Sequence, residues 1–114
     1  MRNFLSYLFV FGGFLFFSSC EKVAFDPPKI EGQVSFKTDV SPALINDCGK
    51  CHAPLKAQTN YYKSLATSTF IDTVNAKSSK IFVKLSNNQA HQGYTSPDNL
   101  AKILLWFEQG AKNN

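Results

Sequence analysis

The sequence predicts a small all-α domain, because its apolar residues recur at helical spacing and no segment shows the apolar–polar alternation of a series of strands. The clearest helix lies near the carboxyl terminus, where Ser96 is a suitable N-cap and Pro97 occupies the first helical position. Gly110 is a suitable residue to end this helix. We expect its apolar stripe and Trp106 to pack into a core. The stripe consists of Leu100, Ile103, Leu104 and Phe107.

A second helix is predicted over residues 35–48, in the stretch SFKTDVSPALINDC. Within it, Pro42 predicts the start of a second turn with Ser41 as its cap. Two weaker helix candidates follow: TNYYKSLA, with Thr59 or Asn60 as its cap, and SSKIFVKLS, whose β-branched residues also permit a strand. The apolar residues at helical spacing in the 35–48 stretch are Phe36, Val40, Ala43 and Leu44.

Residues 1–19 form a predicted secretory signal peptide. Arg2 supplies a positive charge, residues 4–17 form an apolar run, and two serines precede Cys20. A membrane-spanning helix needs ~20 apolar residues, so this run is short for one. The alternative is an uncleaved N-terminal anchor in which Cys20 is an ordinary thiol.

The motif FSSC, which ends at Cys20, resembles the lipobox of bacterial lipoproteins. The resemblance implies that Cys20 is diacylated, becomes the new N-terminus and is then acylated again. Because two acyl chains anchor a protein stably, we expect a lipid-anchored protein of the cell envelope that faces the periplasm or the cell exterior. Glu21 is not the aspartate that retains some lipoproteins at the inner membrane, which favours the outer membrane.

Two regions follow the signal peptide. Residues 20–33 contain two prolines and a glycine without sustained periodicity, so they predict a lipidated tether, whose second half alternatively packs as an N-terminal arm. Residues 34–114 form the predicted domain, and a domain of about 80 residues usually needs a disulfide, a metal or a cofactor for stability. Removing the signal peptide lowers the net charge from +4 to +3. This charge is too small and too scattered to indicate a nucleic-acid-binding surface.

The candidate functional motif is CGKCH at residues 48–52, in a chain with three cysteines and two histidines. On a helical turn, Cys48, Cys51 and His52 share one face, because they are spaced by three and four residues. C-x-x-C-H is the pattern of c-type haem attachment. We therefore predict one covalent haem c, with the two thiols added to its vinyl groups and His52 as the proximal iron ligand. Attachment outside the cytoplasm agrees with the signal peptide.

Three other interpretations of the motif remain open. A structural zinc ion would use both cysteines and both histidines, although tetrahedral sites usually consist of two closely spaced pairs of ligands. A dithiol of the thioredoxin type would need a βαβ context, which the sequence does not indicate. A simple disulfide between Cys48 and Cys51 would close a very small loop and stabilise little.

The stretches DVSPALINDCGKCH and LAKILLWFEQGAKNN resemble the small mono-haem domains of bacterial membrane lipoproteins, which are relatives of class I cytochrome c. The resemblance extends over about residues 35–114, strongly at both ends and poorly between Leu55 and Tyr94. It implies that Cys48 and Cys51 anchor the haem, that His52 is the proximal ligand, and that the N-terminal helix crosses the C-terminal one beside the haem edge. Candidates for either core or haem packing are Phe36, Leu44, Leu100, Ile103, Leu104 and Phe107.

The sixth iron ligand is where the sequence departs from this family. Class I cytochromes commonly use a methionine, but the single methionine here is Met1, which is lost with the signal peptide. His91, in the stretch NNQAHQGYTSP before the last helix, is the predicted iron ligand instead. The alternatives are an open or water-bound position, or ligation by Lys80, Lys84 or Tyr94. A second imidazole in place of a thioether predicts a lower reduction potential.

These features together predict an electron carrier rather than an enzyme. Fixed six-coordination suits a group that changes charge without exchanging ligands. The expected partners are redox proteins in the periplasm or membrane, and membership of a larger complex is compatible with this role. The alternative is a haem-based ligand sensor or a small peroxidase-like haem enzyme, which needs an open sixth position. The sequence shows no evident distal acid–base pair for such an enzyme.

Overall fold

The computed structural model describes residues 28–114, which form five helices joined by turns. Helix α1 has three consecutive pieces, π-helical Phe36–Val40, α-helical Ser41–Ala43 and π-helical Leu44–Cys48. The other elements are α2 (Tyr61–Thr67), α3 (Lys80–Asn87), α4 (Gln89–Gln92), α5 (Pro97–Glu108) and two 3₁₀ turns, Ala53–Leu55 and Ala76–Ser78. The described range contains no β-strand, so the predicted all-α class is confirmed. Within the same range, no helix has the length and apolar character needed to cross a membrane.

The predicted signal peptide, residues 1–19, and the predicted lipidation site Cys20 lie outside the described residues. Of the predicted tether, residues 28–33 are described. Its end lies against the domain, because the Gln109 side chain donates to the Gly32 carbonyl at 2.8 Å and accepts from the Val34 N–H at 2.9 Å. Val34 itself is buried. The last tether residues therefore pack onto the end of α5, as in the alternative of an N-terminal arm.

Helix α1 begins earlier than its proline suggests. Ser35 caps it, since its hydroxyl accepts from the Thr38 N–H at 3.3 Å, while the Asp39 carboxylate accepts from the Ser35 N–H at 3.0 Å. An α-helical turn does start at Ser41, but Ser41 is not its cap, so that prediction is wrong. The N–H of Ser41 instead donates to the Phe36 carbonyl. The chain is already helical there, and the wide turns on either side let it continue through a proline that lacks an N–H.

The predicted helix α5 is confirmed at both ends. The Ser96 hydroxyl accepts from the Asn99 N–H at 3.2 Å. Beyond the helix, Gly110 has φ 94° and donates to the Phe107 carbonyl, while the Ala111 N–H donates to the Trp106 carbonyl at 2.9 Å. This pair of hydrogen bonds is a Schellman motif, which favours glycine because of its positive φ.

The two weaker helix candidates are also helices. Helix α2 follows Asn60, one of the two predicted caps, although the Asn60 side chain makes no capping hydrogen bond. The stretch SSKIFVKLS contains α3, so its strand alternative is wrong. Helix α4 was not predicted from the sequence, because four residues are too few to show a helical period.

The core lies between α1 and α5, with α2 and α3 packed around it. An aromatic cluster dominates it, with ring centroids 5.3 Å apart for Phe36 and Trp106 and 4.8 Å apart for Trp106 and Phe107. The Trp106 indole N–H donates to the Lys112 carbonyl at 2.9 Å, so the ring is buried without an unsatisfied donor. The remaining large, fully buried apolar side chains are Val40, Leu44, Leu65, Ile71, Leu100 and Ile103.

Candidate functional site

The cysteine–histidine motif lies at the end of α1. Cys48 is the last residue of this helix, and its carbonyl accepts from the Cys51 N–H at 3.2 Å and from the His52 N–H at 3.0 Å. These bonds form one tight turn. The turn brings Cys48, Cys51 and His52 to the wall of a single cavity, as the spacing of the motif predicted.

Gly49 allows this turn to pack closely against the chain on both sides of it. The residue is buried, and an added Cβ would collide with the carbonyl oxygen of Ile45 and lie 3.0 Å from that of Leu55. Its φ of −63° is ordinary, so the requirement is for space rather than for backbone freedom. The glycine in CGKCH is therefore a packing residue.

Two adjoining cavities form a cleft beside the motif, with volumes of about 300 and about 200 Å³. Both are lined by Cys48, His52, Leu85 and His91. Small-molecule and cofactor sites typically have about 300–1,000 Å³, so the larger cavity alone reaches the lower limit and the smaller one extends it. The larger cavity is further lined by Asp47, Cys51, Tyr94 and Thr95. The smaller one is further lined by Leu55, Phe70, Lys80, Ile81 and Lys84.

The two histidines face each other across this cleft. The centroids of the His52 and His91 rings are 5.9 Å apart, with 42° between the ring planes. His52 is exposed and His91 is partly buried. Because 38 residues separate them in the chain, only the tertiary structure brings them together.

The spacing of the two rings fits one shared metal ion. Imidazole nitrogens bind a metal at about 2.0–2.1 Å, so two rings on opposite sides of one ion would have centroids roughly 6 Å apart. The observed 5.9 Å agrees with this value. The distance between the rings therefore fits the predicted haem, whose iron His52 and His91 would ligate.

Local hydrogen bonds position His91. The Asn88 side chain caps α4 by accepting from the His91 N–H at 3.1 Å. The Gln92 amide then donates to the Leu85 carbonyl at 2.6 Å, which joins α4 to α3. The short helix that carries His91 is thus held at both ends of its single turn.

Both cysteines are free thiols, so the structure does not contain the alternative disulfide. Cys51 is exposed, whereas burial and, to a lesser extent, the negative charge of Asp47 raise the pKa of the Cys48 thiol to about 11. Both cysteines line the larger cavity. This position suits covalent attachment of a ligand in the cleft.

The zinc and dithiol alternatives find little support. Among residues 28–114, no three or more His, Cys, Asp or Glu side chains converge closely enough to hold a metal ion. A tetrahedral site would need four such ligands. The same range contains no strand, and therefore no βαβ context for a thioredoxin-type dithiol.

The alternative sixth ligands also border the cleft. Lys80 and Lys84 line the smaller cavity, and the Lys80 ammonium lies 5.9 Å from the centroid of the Phe70 ring. Tyr94 lines the larger cavity, is 73% exposed and packs edge-on against His91, with centroids 5.8 Å apart. Of the predicted candidates, His91 is the one that lines both cavities, with its ring centroid 5.9 Å from that of His52.

The core-or-haem residues predicted from the sequence prove to be core residues. Leu104 is partly buried, the other five are buried, and none of the six lines either cavity. The apolar walls of the cleft come instead from Leu55, Phe70, Ile81 and Leu85, which sequence reasoning did not single out. The spacing of Ile81 and Leu85, four residues apart on α3, is a helical-stripe signal that indicates one shared face.

A polar network at the rim of the larger cavity was also missed. The Asp47 carboxylate accepts from the Thr95 hydroxyl at 2.6 Å and from the Asn99 side-chain amide at 2.9 Å. No local sequence signal pairs residues so far apart in the chain.

Comparisons with protein-family models, with curated proteins and with solved structures found no match for this chain. The features that bear on function are the motif, the cleft beside it and the histidine pair across that cleft.

Proposed function

We propose that this protein is a mono-haem c-type cytochrome that transfers electrons at the surface of a membrane. The observation that carries the proposal is the convergence of both motif cysteines, His52 and His91 on one cleft. The small domain has free thiols, facing imidazoles and apolar walls in one place. Thiols and imidazoles also bind bare metal ions, but in combination with apolar walls they suit a covalently held porphyrin, because a bare ion makes no use of such walls.

The cysteines and the histidines of the cleft would bind the haem in different ways. Cys48 and Cys51 would hold the haem through thioether bonds, and His52 and His91 would ligate its iron. When bound, the haem supplies a one-electron couple between ferrous and ferric iron. Leu55, Ile81 and Leu85 exclude water from one wall of the cleft. Protein exclusion of water is one of the factors that tune a haem potential.

The ligand pair determines which activity is favoured. If both His52 and His91 ligate it, a haem iron would have no free position for a substrate or gas, which would favour electron transfer over enzymatic turnover or ligand sensing. Imidazole stabilises ferric iron more than a thioether does, so we expect a lower potential than in a Met/His cytochrome. A potentiometric titration with a high, Met/His-like value would contradict this expectation.

The site is accessible to a partner protein. Cys51 and His52 are exposed, so the motif lies at the surface of the domain. We further propose that Cys20 is lipidated and that residues 20–33 tether the domain to a membrane of the cell envelope, where redox proteins of the periplasm or membrane reach it.

The first test is an absorption spectrum of the protein produced with a haem-attachment machinery, recorded oxidised, reduced with dithionite and then exposed to carbon monoxide. We expect haem that stays attached after denaturation and a low-spin reduced spectrum that carbon monoxide does not alter. Cys48→Ser with Cys51→Ser should abolish covalent attachment. Loss of all haem on denaturation of the unaltered protein would refute the proposal.

The sixth ligand is tested separately with His91→Ala, with Tyr94→Ala as the matched control from the same cavity. We expect the first variant to bind carbon monoxide and the second to resist it. If the unaltered protein binds carbon monoxide as readily as His91→Ala does, the iron is open, and the sensor or enzyme alternative takes precedence.

A further inference from the structure

Asp47 connects the two walls of the cleft. It precedes Cys48 at the end of α1, and its Oδ2 accepts from the Thr95 hydroxyl at 2.6 Å and from the Asn99 amide at 2.9 Å. These partners are 48 and 52 residues away in the sequence. The carboxylate therefore joins the helix that carries Cys48 to the segment that follows His91.

This connection complements the contacts that hold α4. Asn88 and Gln92 fix α4 relative to α3, but neither of these side-chain bonds reaches α1. Thr95 lies four residues after His91, close enough for its hydrogen bond to restrain the histidine's segment. Hydrogen bonds to an ionised carboxylate are stronger than neutral ones, so one side chain can restrain this segment.

We propose that Asp47 is a positioning residue for His91, acting through Thr95 and Asn99. By holding the segment after α4 against α1, it keeps the His91 ring on the side of the cleft opposite His52. The inference rests on the proposed function, in which His91 is an iron ligand. Asp47 itself does not bind the iron in this assignment.

The test measures the fraction of the haem-loaded protein in which His91 is dissociated from the iron. Asp47→Ala and Thr95→Val are made with the haem-attachment machinery, reduced with dithionite and mixed with carbon monoxide in a stopped-flow instrument. Carbon monoxide can bind only after His91 has dissociated. The observed rate of carbon monoxide binding therefore reports the population of protein without the His91 ligand. The loss of a hydrogen bond to a charged group should raise this population roughly tenfold or more.

Three further variants separate positioning from general destabilisation. Asp47→Asn keeps an acceptor oxygen of the same shape and should restore part of the slow binding. Asp98→Ala removes an exposed carboxylate paired with Lys102 at 3.0 Å on α5 and should leave the rate within about twofold. The double variant Asp47→Ala with Thr95→Val should be little faster than Asp47→Ala alone, since both changes remove the same hydrogen bond.

The outcomes distinguish this inference from the proposed function. Unaltered carbon monoxide rates in both Asp47→Ala and Thr95→Val would overturn the positioning role while leaving the cytochrome assignment intact. If Asp47→Ala does not fold, the carbon monoxide rate of the milder variant Thr95→Val tests the positioning role in the same way. Failure of the unaltered protein to retain haem on denaturation would instead refute the proposed function, and this inference with it.

Discussion

Helix α1 borders two regions of different composition, the core that it shares with α5 and the cleft at its carboxyl-terminal end. On the side facing α5, Phe36 packs against Trp106, and the large side chains fill the space between the helices. At the other end of α1, Cys48, Cys51 and His52 border a cleft whose far wall carries His91. In the core, the aromatic rings of the protein itself fill the space between the two helices. The second region combines apolar walls with imidazole and thiol side chains, which is the composition of a binding site.

This contrast explains how a small domain can hold an exposed His52 opposite a partly buried His91. The core of α1 and α5 supplies the stability, and every buried side-chain nitrogen or oxygen of the described residues has a hydrogen-bond partner. Part of the cleft wall is built on helices that belong to the core, because Cys48 ends α1 and both Ile81 and Leu85 lie on α3. Sites on such elements hold their ligands more closely than sites on loops do.

The largest expected effect compares one aromatic residue from each region. Trp106 is 1% exposed and Tyr94 is 73% exposed. Trp106→Ala should lower the free energy of unfolding by about 3–5 kcal/mol, because it leaves a large cavity. Tyr94→Ala should change it by less than about 0.5 kcal/mol. Urea denaturation followed by circular dichroism measures both, and equal losses in the two variants would invalidate the contrast.

Gly49 and Gly93 test how closely the chain packs in the cleft region, because an added methyl group has space at one of them and none at the other. Gly49→Ala should cost about 1–3 kcal/mol of unfolding free energy, because the new methyl group would collide with the Ile45 carbonyl. Gly93→Ala would place its methyl group 3.5 Å from the Ala90 carbonyl, an ordinary contact, and should change stability by less than about 0.5 kcal/mol. The same denaturation measurement applies. A Gly49→Ala variant as stable as Gly93→Ala would show that the turn adjusts.

A smaller loss of unfolding free energy is expected at Asn114, whose side chain is hydrogen-bonded to residues near the start of α1. The Asn114 side chain accepts from the Phe36 N–H at 2.8 Å and donates to the Val34 carbonyl at 3.3 Å. Asn114→Ala removes both bonds and should lower the unfolding free energy by about 1–2 kcal/mol. Its exposed neighbour provides the control, since Asn113→Ala should leave the denaturation midpoint unchanged. If the two variants agree, the contacts of Asn114 contribute no measurable stability.

The smallest expected effect is the pH dependence of the chain whose cysteines are unmodified. The pKa of the Cys48 thiol rises from 9.0 to about 11 in the folded protein. Between these values the unfolded chain loses a proton that the folded one keeps, so stability is fully present below pH 9.0 and falls as the pH rises towards about 11. Burial, and to a lesser extent the charge of Cys48, also raises the pKa of Tyr61, which adds to the same slope.

Urea unfolding at pH 8, 9, 10 and 11 measures this slope. Cys48→Ala should flatten it in part, whereas Cys51→Ala, which changes an exposed thiol, should not. Equal slopes in the two variants would mean that the ionisation of Cys48 does not affect folding.

Much of the fold could be predicted because its signals are local. Ser96, Pro97 and Gly110 mark the ends of α5 by capping chemistry that acts within a few residues. The prediction failed at Ser41, where the proline suggested a boundary. The preceding Phe36–Val40 turn had already begun the helix, and the wide turns around Pro42 removed the need for a break.

The sequence by itself determined α1, α5 and the thiol–imidazole motif and indicated α2 and α3, because helical period, capping and the C-x-x-C-H spacing are properties of neighbouring residues. Only the tertiary structure decided that His91 lies opposite His52, that Leu85 lines the cleft and that Asp47 reaches Thr95. The physical reason is that these contacts form between distant parts of the chain. They depend on how α3, α4 and α5 pack against α1, which the periodicity of a single segment does not specify.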